Sequence, residues 1–124
     1  MTKDKALFNW WQQFGIPFYP TTSLPPAEEI TFPYGTYEPN FGYFGDVLYI
    51  TAKLYYKTES EAVPNAKAKE IGDAIGMGGA LIECDSGALW LKRGSPFAQG
   101  IIDPDNSNIK VRYLQLSIED LTTD

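Results

Sequence analysis

The chain has 124 residues, 44% of them hydrophobic and 21% charged, enough for one domain that buries roughly two-thirds of the surface its unfolded form exposes. Ten Lys and Arg against sixteen Asp and Glu give a formal charge of −6; this argues against a duplex DNA or RNA binder, because such proteins gather cations to replace counterions along the phosphates. Cys84 is the single cysteine, which excludes an intrachain disulfide and fits a reducing compartment.

Lys3 and Lys5 precede apolar residues, but Asn9, Gln12 and Gln13 interrupt the continuous apolar core that a signal peptide has, and no segment approaches the ~20 apolar residues of a membrane helix. The reading is a soluble, unprocessed chain. Leu7, Trp10, Trp11 and Phe14 recur at i, i+3, i+4 and i+7, and Gly15 follows as a left-handed stop, which predicts a short amphipathic helix over 3–14. Its apolar face is aromatic. The tryptophans either pack on the domain's own sheet or reach a neighbouring subunit, where tryptophan is over-represented among hot spots.

From Ile16 to Gly45, Pro17, Pro20, Pro25, Pro26, Pro33 and Pro39 alternate with aromatic residues, so a long helix is excluded. Proline cannot donate to a ladder, which predicts short or edge strands over 29–34 and 40–45, joined by a turn containing Gly35. Such an edge is open to completion by another chain. Then comes the strongest pattern. Leu48, Ile50, Ala52, Leu54 and Tyr56 are apolar on one parity, against Tyr49, Thr51, Lys53, Tyr55 and Lys57 on the other, which predicts a long half-buried strand.

The period then changes. Thr58 and Ser60 offer oxygens to the free amides of a helix start, Glu59 and Glu61 favour its positive end, and Pro64 suits a first turn. Ala68, Ile71, Ala74 and Ile75 supply an apolar stripe, and Gly76, Met77, Gly78 and Gly79 end the helix. Beyond it, 80–84 and 88–92 flank Asp85-Ser86-Gly87 as a hairpin. Gly94, Ser95 and Pro96 open a loop before another strand over 97–102, and 103–108 reads as a polar turn. In the last strand the apolar parity slips from Ile109, Val111 and Tyr113 to Leu114, Leu116 and Ile118, which predicts a bulge or a change of buried face near Tyr113. Residues 119–124 are expected to fray. The fold class that follows is α+β, a mostly antiparallel sheet with two helices packed on one face, in a single domain over 1–124.

Chemistry is hard to assemble from this composition. The absence of histidine removes the commonest general base and most zinc sites. The glycines of 76–79 follow a helix, whereas a phosphate loop precedes one. Asp103, Asp105 and Ser107 begin like a calcium loop, but the required glycine and bidentate glutamate are missing. Glu28 and Glu29 are adjacent carboxylates with no implied spacing in space, and Cys84 reads as a small core residue. The expectation is no enzyme, no catalytic residue, no cofactor and no metal.

The long strand over 47–57, the Ser/Glu/Pro helix start over 60–64, the Ala/Ile helix ending in glycines, Lys92-Arg93-Gly94-Ser95-Pro96-Phe97-Ala98-Gln99 and a closing strand over 110–119 together resemble the tail terminator proteins of long-tailed bacteriophages, often labelled minor capsid or neck proteins in prophages. The proline-rich 16–40 region is longer than that family's minimal early hairpin. The resemblance implies a structural protein in the virion tail or neck, put together in the bacterial host cytoplasm. It would form a ring, usually a hexamer, on the head-proximal end of the tail tube, stop tube polymerisation and present a surface to the head connector. Its partners would be copies of itself, the tail tube protein and the connector, with DNA passing through the lumen without specific binding, which a −6 chain suits, and with no membrane. On that reading Lys53, Tyr55 and Lys57 on the open side of the long strand, Arg93, Trp10 and Trp11 are candidate subunit or tube contacts, and Arg112 a candidate ion pair across subunits. Two rivals remain: a tail-tube or baseplate subunit, forming open filaments, and a monomeric carbohydrate-binding module using Tyr34, Tyr37, Phe41 or Tyr43.

Overall fold

The computed structural model describes residues 1–102 and 108–123; the turn and calcium-loop readings at Asp103, Asp105 and Ser107, and Asp124, lie outside them. In chain order come α1 (Lys3–Trp11), a 3-10 turn (Gln12–Phe14), β1 (Phe18–Pro20), a second 3-10 turn (Ala27–Glu29), β2 (Tyr34–Tyr37), β3 (Val47–Lys57), α2 (Ala62–Ile75), β4 (Ala80–Cys84), β5 (Gly87–Ile102) and β6 (Ile109–Thr122). The strands form one sheet in the order β1-β2-β3-β6-β5-β4, antiparallel except for the β1–β2 pair. This is the α+β class that the pattern predicts.

Period two builds the centre. Ile50, Ala52, Leu54 and Tyr56 of β3 and Leu114, Leu116 and Ile118 of β6 are buried on one face, where they join Leu7, Trp11 and Phe14 of the first helical segment and Ala68, Ile71 and Ile75 of α2 in a single core. Both helices therefore cover the same face, and the other face carries no helix. Thr2 caps α1 through its hydroxyl (3.3 Å to the Lys5 N–H), and Gly15, at φ 79°, ends the segment as expected. Lys67 ties the two helical segments together by donating to the Phe14 carbonyl (2.6 Å).

The structure corrects several expectations. Residues 29–33 and 40–45 are not strands. Gly35 lies inside β2, where a Cβ would come 2.2 Å from Phe18 Cε2; the β1 ring occupies the space that glycine leaves. In α2, Ala74 is exposed while Gly72 takes its place in the buried stripe, and no side chain caps the first turn: Thr58 bonds the Ser60 N–H (3.1 Å) instead. Residues 94–96 are not a loop. β5 runs on through them with a bulge, four residues from Gly94 to Phe97 facing Gln115 alone, so that Arg93 pairs with Leu116 and Ala98 with Leu114. The irregularity sits in β5 rather than β6, which stays in register with β3 throughout. The slip at Tyr113 is a change of face, since Val111 is buried on the helix-free side.

Residues 119–122, expected to fray, are part of β6. Asp120 and Thr122 are fully buried. The Asp120 carboxylate accepts hydrogen bonds from the Lys3 ammonium (3.1 Å), the Gly42 N–H (3.2 Å), the Thr122 N–H (3.0 Å) and the Thr122 hydroxyl. It thereby joins α1, the loop before β3 and the end of β6.

Candidate assembly surfaces

A single open sheet has two rims, and here they differ. On β1 the groups facing away from β2 belong to Phe18 and Pro20, because Pro17 and Tyr37 carbonyls take the bonds on the inner side. The Gln12 carboxamide closes that rim: its Nε2 donates to the Phe18 carbonyl (2.8 Å) and its Oε1 accepts from the Phe18 N–H (3.3 Å), as a neighbouring strand would. Pro20 has no N–H, and its carbonyl accepts from the Ser23 N–H (3.0 Å). The sequence reading of the early strands as an edge that another chain completes is therefore corrected, because the rim is saturated from within. Gln12→Ala is expected to cost about 1–2 kcal/mol by leaving Phe18's groups unpaired, and to increase light scattering at high concentration by opening an edge; thermal melts and static scattering check both.

The β4 rim is built differently. Cys84 and Gly87 pair across the two-residue turn Asp85-Ser86, so Cys84, Ile82 and Ala80 direct their backbone groups at β5 and Leu81 and Glu83 direct theirs outward. The next outward N–H, that of Asp85, is taken by the Met1 carbonyl (2.8 Å), with the Met1 ammonium against the Asp85 carboxylate. For Leu81 and Glu83 no such backbone partner exists among the described residues.

The helix-free face carries an apolar row. Val47, Glu119, Trp90 and Leu81 are consecutive across β3, β6, β5 and β4. Val47 is 47% exposed, Leu81 60%, and Tyr49, one pair along β3, 84%. Lys92 covers the Trp90 ring (3.6 Å) and reaches Glu119 (3.7 Å). Further along the same face Tyr34 stacks on Tyr55 (4.7 Å, 10°), and burial raises both hydroxyl pKa values above the usual 10.0, so the pair is neutral at pH 7. Lys53 sits over Tyr113 (4.8 Å), beside a groove of about 390 Å³ lined by Thr36, Glu38 and Thr51.

The predicted contact residues do not converge. Lys53, Tyr55 and Lys57 share the helix-free face, with Lys57 exposed at its end. Arg93 lies on the other face against α2, in a groove with Gly72 and Phe97, and its guanidinium has no ion-pair partner among the described residues. Arg112 is not free to bridge subunits: it is buried, bonded to Asn65 Oδ1 (2.9 Å) and paired with the Glu61 carboxylate at the start of α2. Trp11 is 0% exposed and stacks on Tyr37 (5.7 Å, 13°) inside the core, which removes it as a surface contact; Trp10 is half-buried against it, edge-on at 4.9 Å. The four aromatics considered for carbohydrate also divide, because Tyr37 faces the core and Tyr34 the opposite side of the sheet. Sequence reasoning passed over Gln12 and the exposed row at Val47, Trp90 and Leu81. The row has a signal in the parity of β3 and of the hairpin, but Gln12 has none, since its role depends on where β1 lands.

Among the described residues no group of three or more His, Cys, Asp or Glu is placed to hold a metal, and no helix is long and apolar enough to cross a membrane. Comparison with protein-family models, with curated proteins and with solved structures finds no match.

Proposed function

We propose that the chain is a structural subunit of the tail terminator type from a long-tailed bacteriophage or prophage. It assembles as a ring on the tail tube, ends tube growth and presents the surface that the head connector meets. The observation that carries this reading is the helix-free sheet face: Val47, Tyr49 and Leu81 are exposed there around the Lys92–Trp90 pair, and an apolar patch rimmed by polar groups on a small domain marks a protein contact. Lys53 and Tyr55 lie on this face and Arg93 on the other, which gives a subunit two distinct surfaces for two neighbours. The alternation of strand, helix and strand that the resemblance rests on is also supported by the observed element order.

The test is negative-stain imaging and native mass of the purified chain with and without tail tubes. Closed rings seated on tube ends are expected. Open-ended filaments of the chain alone would instead make it a tube subunit, and failure to bind tubes at all would end the reading. Tyr49→Asp is expected to change folding stability by no more than about 0.5 kcal/mol, because the ring is on the surface, and to abolish ring formation. Charge reversal at Lys53 or Arg93 with rings and tail joining unchanged would remove those two residues from the contact.

A further inference from the structure

We infer that free subunits pair through β4, two copies joining their open rims antiparallel about Ile82 into a closed dimer. Three observations lead there. Of the two outermost strands, only β4 has outward backbone groups without partners among the described residues, those of Leu81 and Glu83, whereas the β1 rim is filled by Gln12 and Pro20; the outward groups of Tyr49 in β3 and of Ala98 and Gly100 in β5 lie inboard, past the ends of β2 and β4. A head-to-tail continuation of the sheet, β4 onto the next copy's β1, is therefore blocked, and the outermost strand of a second copy that β4 can meet is β4 itself. Such a contact is isologous and closes at two.

The register follows from saturation. Centred on Ile82, Leu81 of one copy lies opposite Glu83 of the other and the reverse, so all four outward N–H groups find all four outward carbonyls. A shift centred on Glu83 would set two carboxylates opposite each other, which is destabilising, and would run into the Met1 carbonyl already bonded at Asp85. A shift centred on Leu81 would bring Glu83 to Gly79, whose N–H is bonded to the Gly76 carbonyl, leaving one carbonyl of each Glu83 unmatched. In the Ile82-centred pair the exposed Leu81 side chain, at 60%, lies against the aliphatic stem of Glu83 from the second copy. β4 has no proline, lysine or bulge of the kind that keeps edge strands apart. The contact is short, five residues a side, and its strength therefore depends on concentration.

This pairing is made by the β4 backbone, and because Leu81 also lies on the helix-free face, Tyr49→Asp, expected to abolish the ring and leave the dimer intact, separates the two. Sedimentation and native mass of the chain alone, from roughly 1 µM to 1 mM, are expected to show a monomer passing to a dimer and stopping there. Over the same range, amide exchange is expected to slow at Leu81 and Glu83 while Ile82, already in the β4–β5 ladder, is unchanged. Leu81→Pro removes one outward N–H and leaves the ladder to β5 intact; it and the gentler Leu81→Lys are expected to raise the dissociation constant at least about tenfold with the fold retained by circular dichroism. A monomer at every concentration, growth beyond two, or dimers unaffected by Leu81→Lys would overturn the inference.

Discussion

Asp120→Ala is expected to lower folding stability by about 3–5 kcal/mol, the usual effect of removing one member of a buried, hydrogen-bonded charge pair. The substitution removes the acceptor shared by the Gly42 N–H, the fully buried Thr122 N–H and hydroxyl, and the Lys3 ammonium, which keeps only the Thr122 hydroxyl oxygen (3.3 Å). The pH dependence separates this from a simple loss of packing. Burial alone would raise the carboxyl pKa, but the hydrogen bonds from Thr122, Lys3 and Gly42 outweigh it and hold the group below its ordinary 3.8. A folded value below the unfolded one means that the stabilisation is complete above the unfolded pKa and disappears as the pH falls through the folded one. Denaturant titrations at pH 7 and below about pH 4 should therefore show the wild type losing more stability in acid than Asp120→Ala. Equal losses would assign the acid sensitivity to other carboxylates.

Trp11→Ala is the second large effect, a loss of about 3–5 kcal/mol expected from emptying a fully enclosed aromatic site. Trp11 is wedged between Tyr37, Phe18 (4.8 Å) and Trp10, with Phe14 at 6.2 Å, so its removal detaches α1 from the β1–β2 side of the core. Trp11→Phe keeps a ring in the stack and drops an N–H that has no acceptor among the described residues; its cost should be clearly smaller. Urea unfolding of the two variants gives both numbers. A Trp11→Ala protein as stable as the wild type would mean that α1 is held mainly by Lys3, Lys67 and Leu7.

How much of this was legible depends on the distance over which each feature is decided. The faces of β3, the stripe of α2 and the hairpin at Asp85-Ser86 are written in neighbours two to four residues apart, and they were read with little error. Gly35 illustrates the opposite case. A glycine amid prolines looks like a turn, and only the arrival of the Phe18 ring over it explains its place in a strand. The bulge in β5 was read as a break, because Gly94, Ser95 and Pro96 carry loop chemistry while the pairing that keeps them in the sheet comes from β6. Arg112 and Asp120 looked like surface charges, since nothing nearby in sequence announces that Glu61 and Lys3 will meet them. Of the assembly residues, parity placed Lys53, Tyr55 and Lys57 together but could not show that Trp11 is spent on the core.

The position of β6 in the sheet has a consequence for how the domain is made. It follows the other five described strands in sequence, yet it lies between β3 and β5, so without it the sheet is two halves, β1-β2-β3 and β5-β4, with no strand pairing between them and only the helices in contact with both. A nascent chain on the ribosome thus presents two raw strand flanks, one on β3 and one on β5, until the final strand emerges to fill the gap. Assembly of this kind rests on contacts far apart in sequence and is slow, and the interval is when such chains are most exposed to mispairing with one another. Loss of β6 would therefore not trim the sheet at its rim but divide it in two.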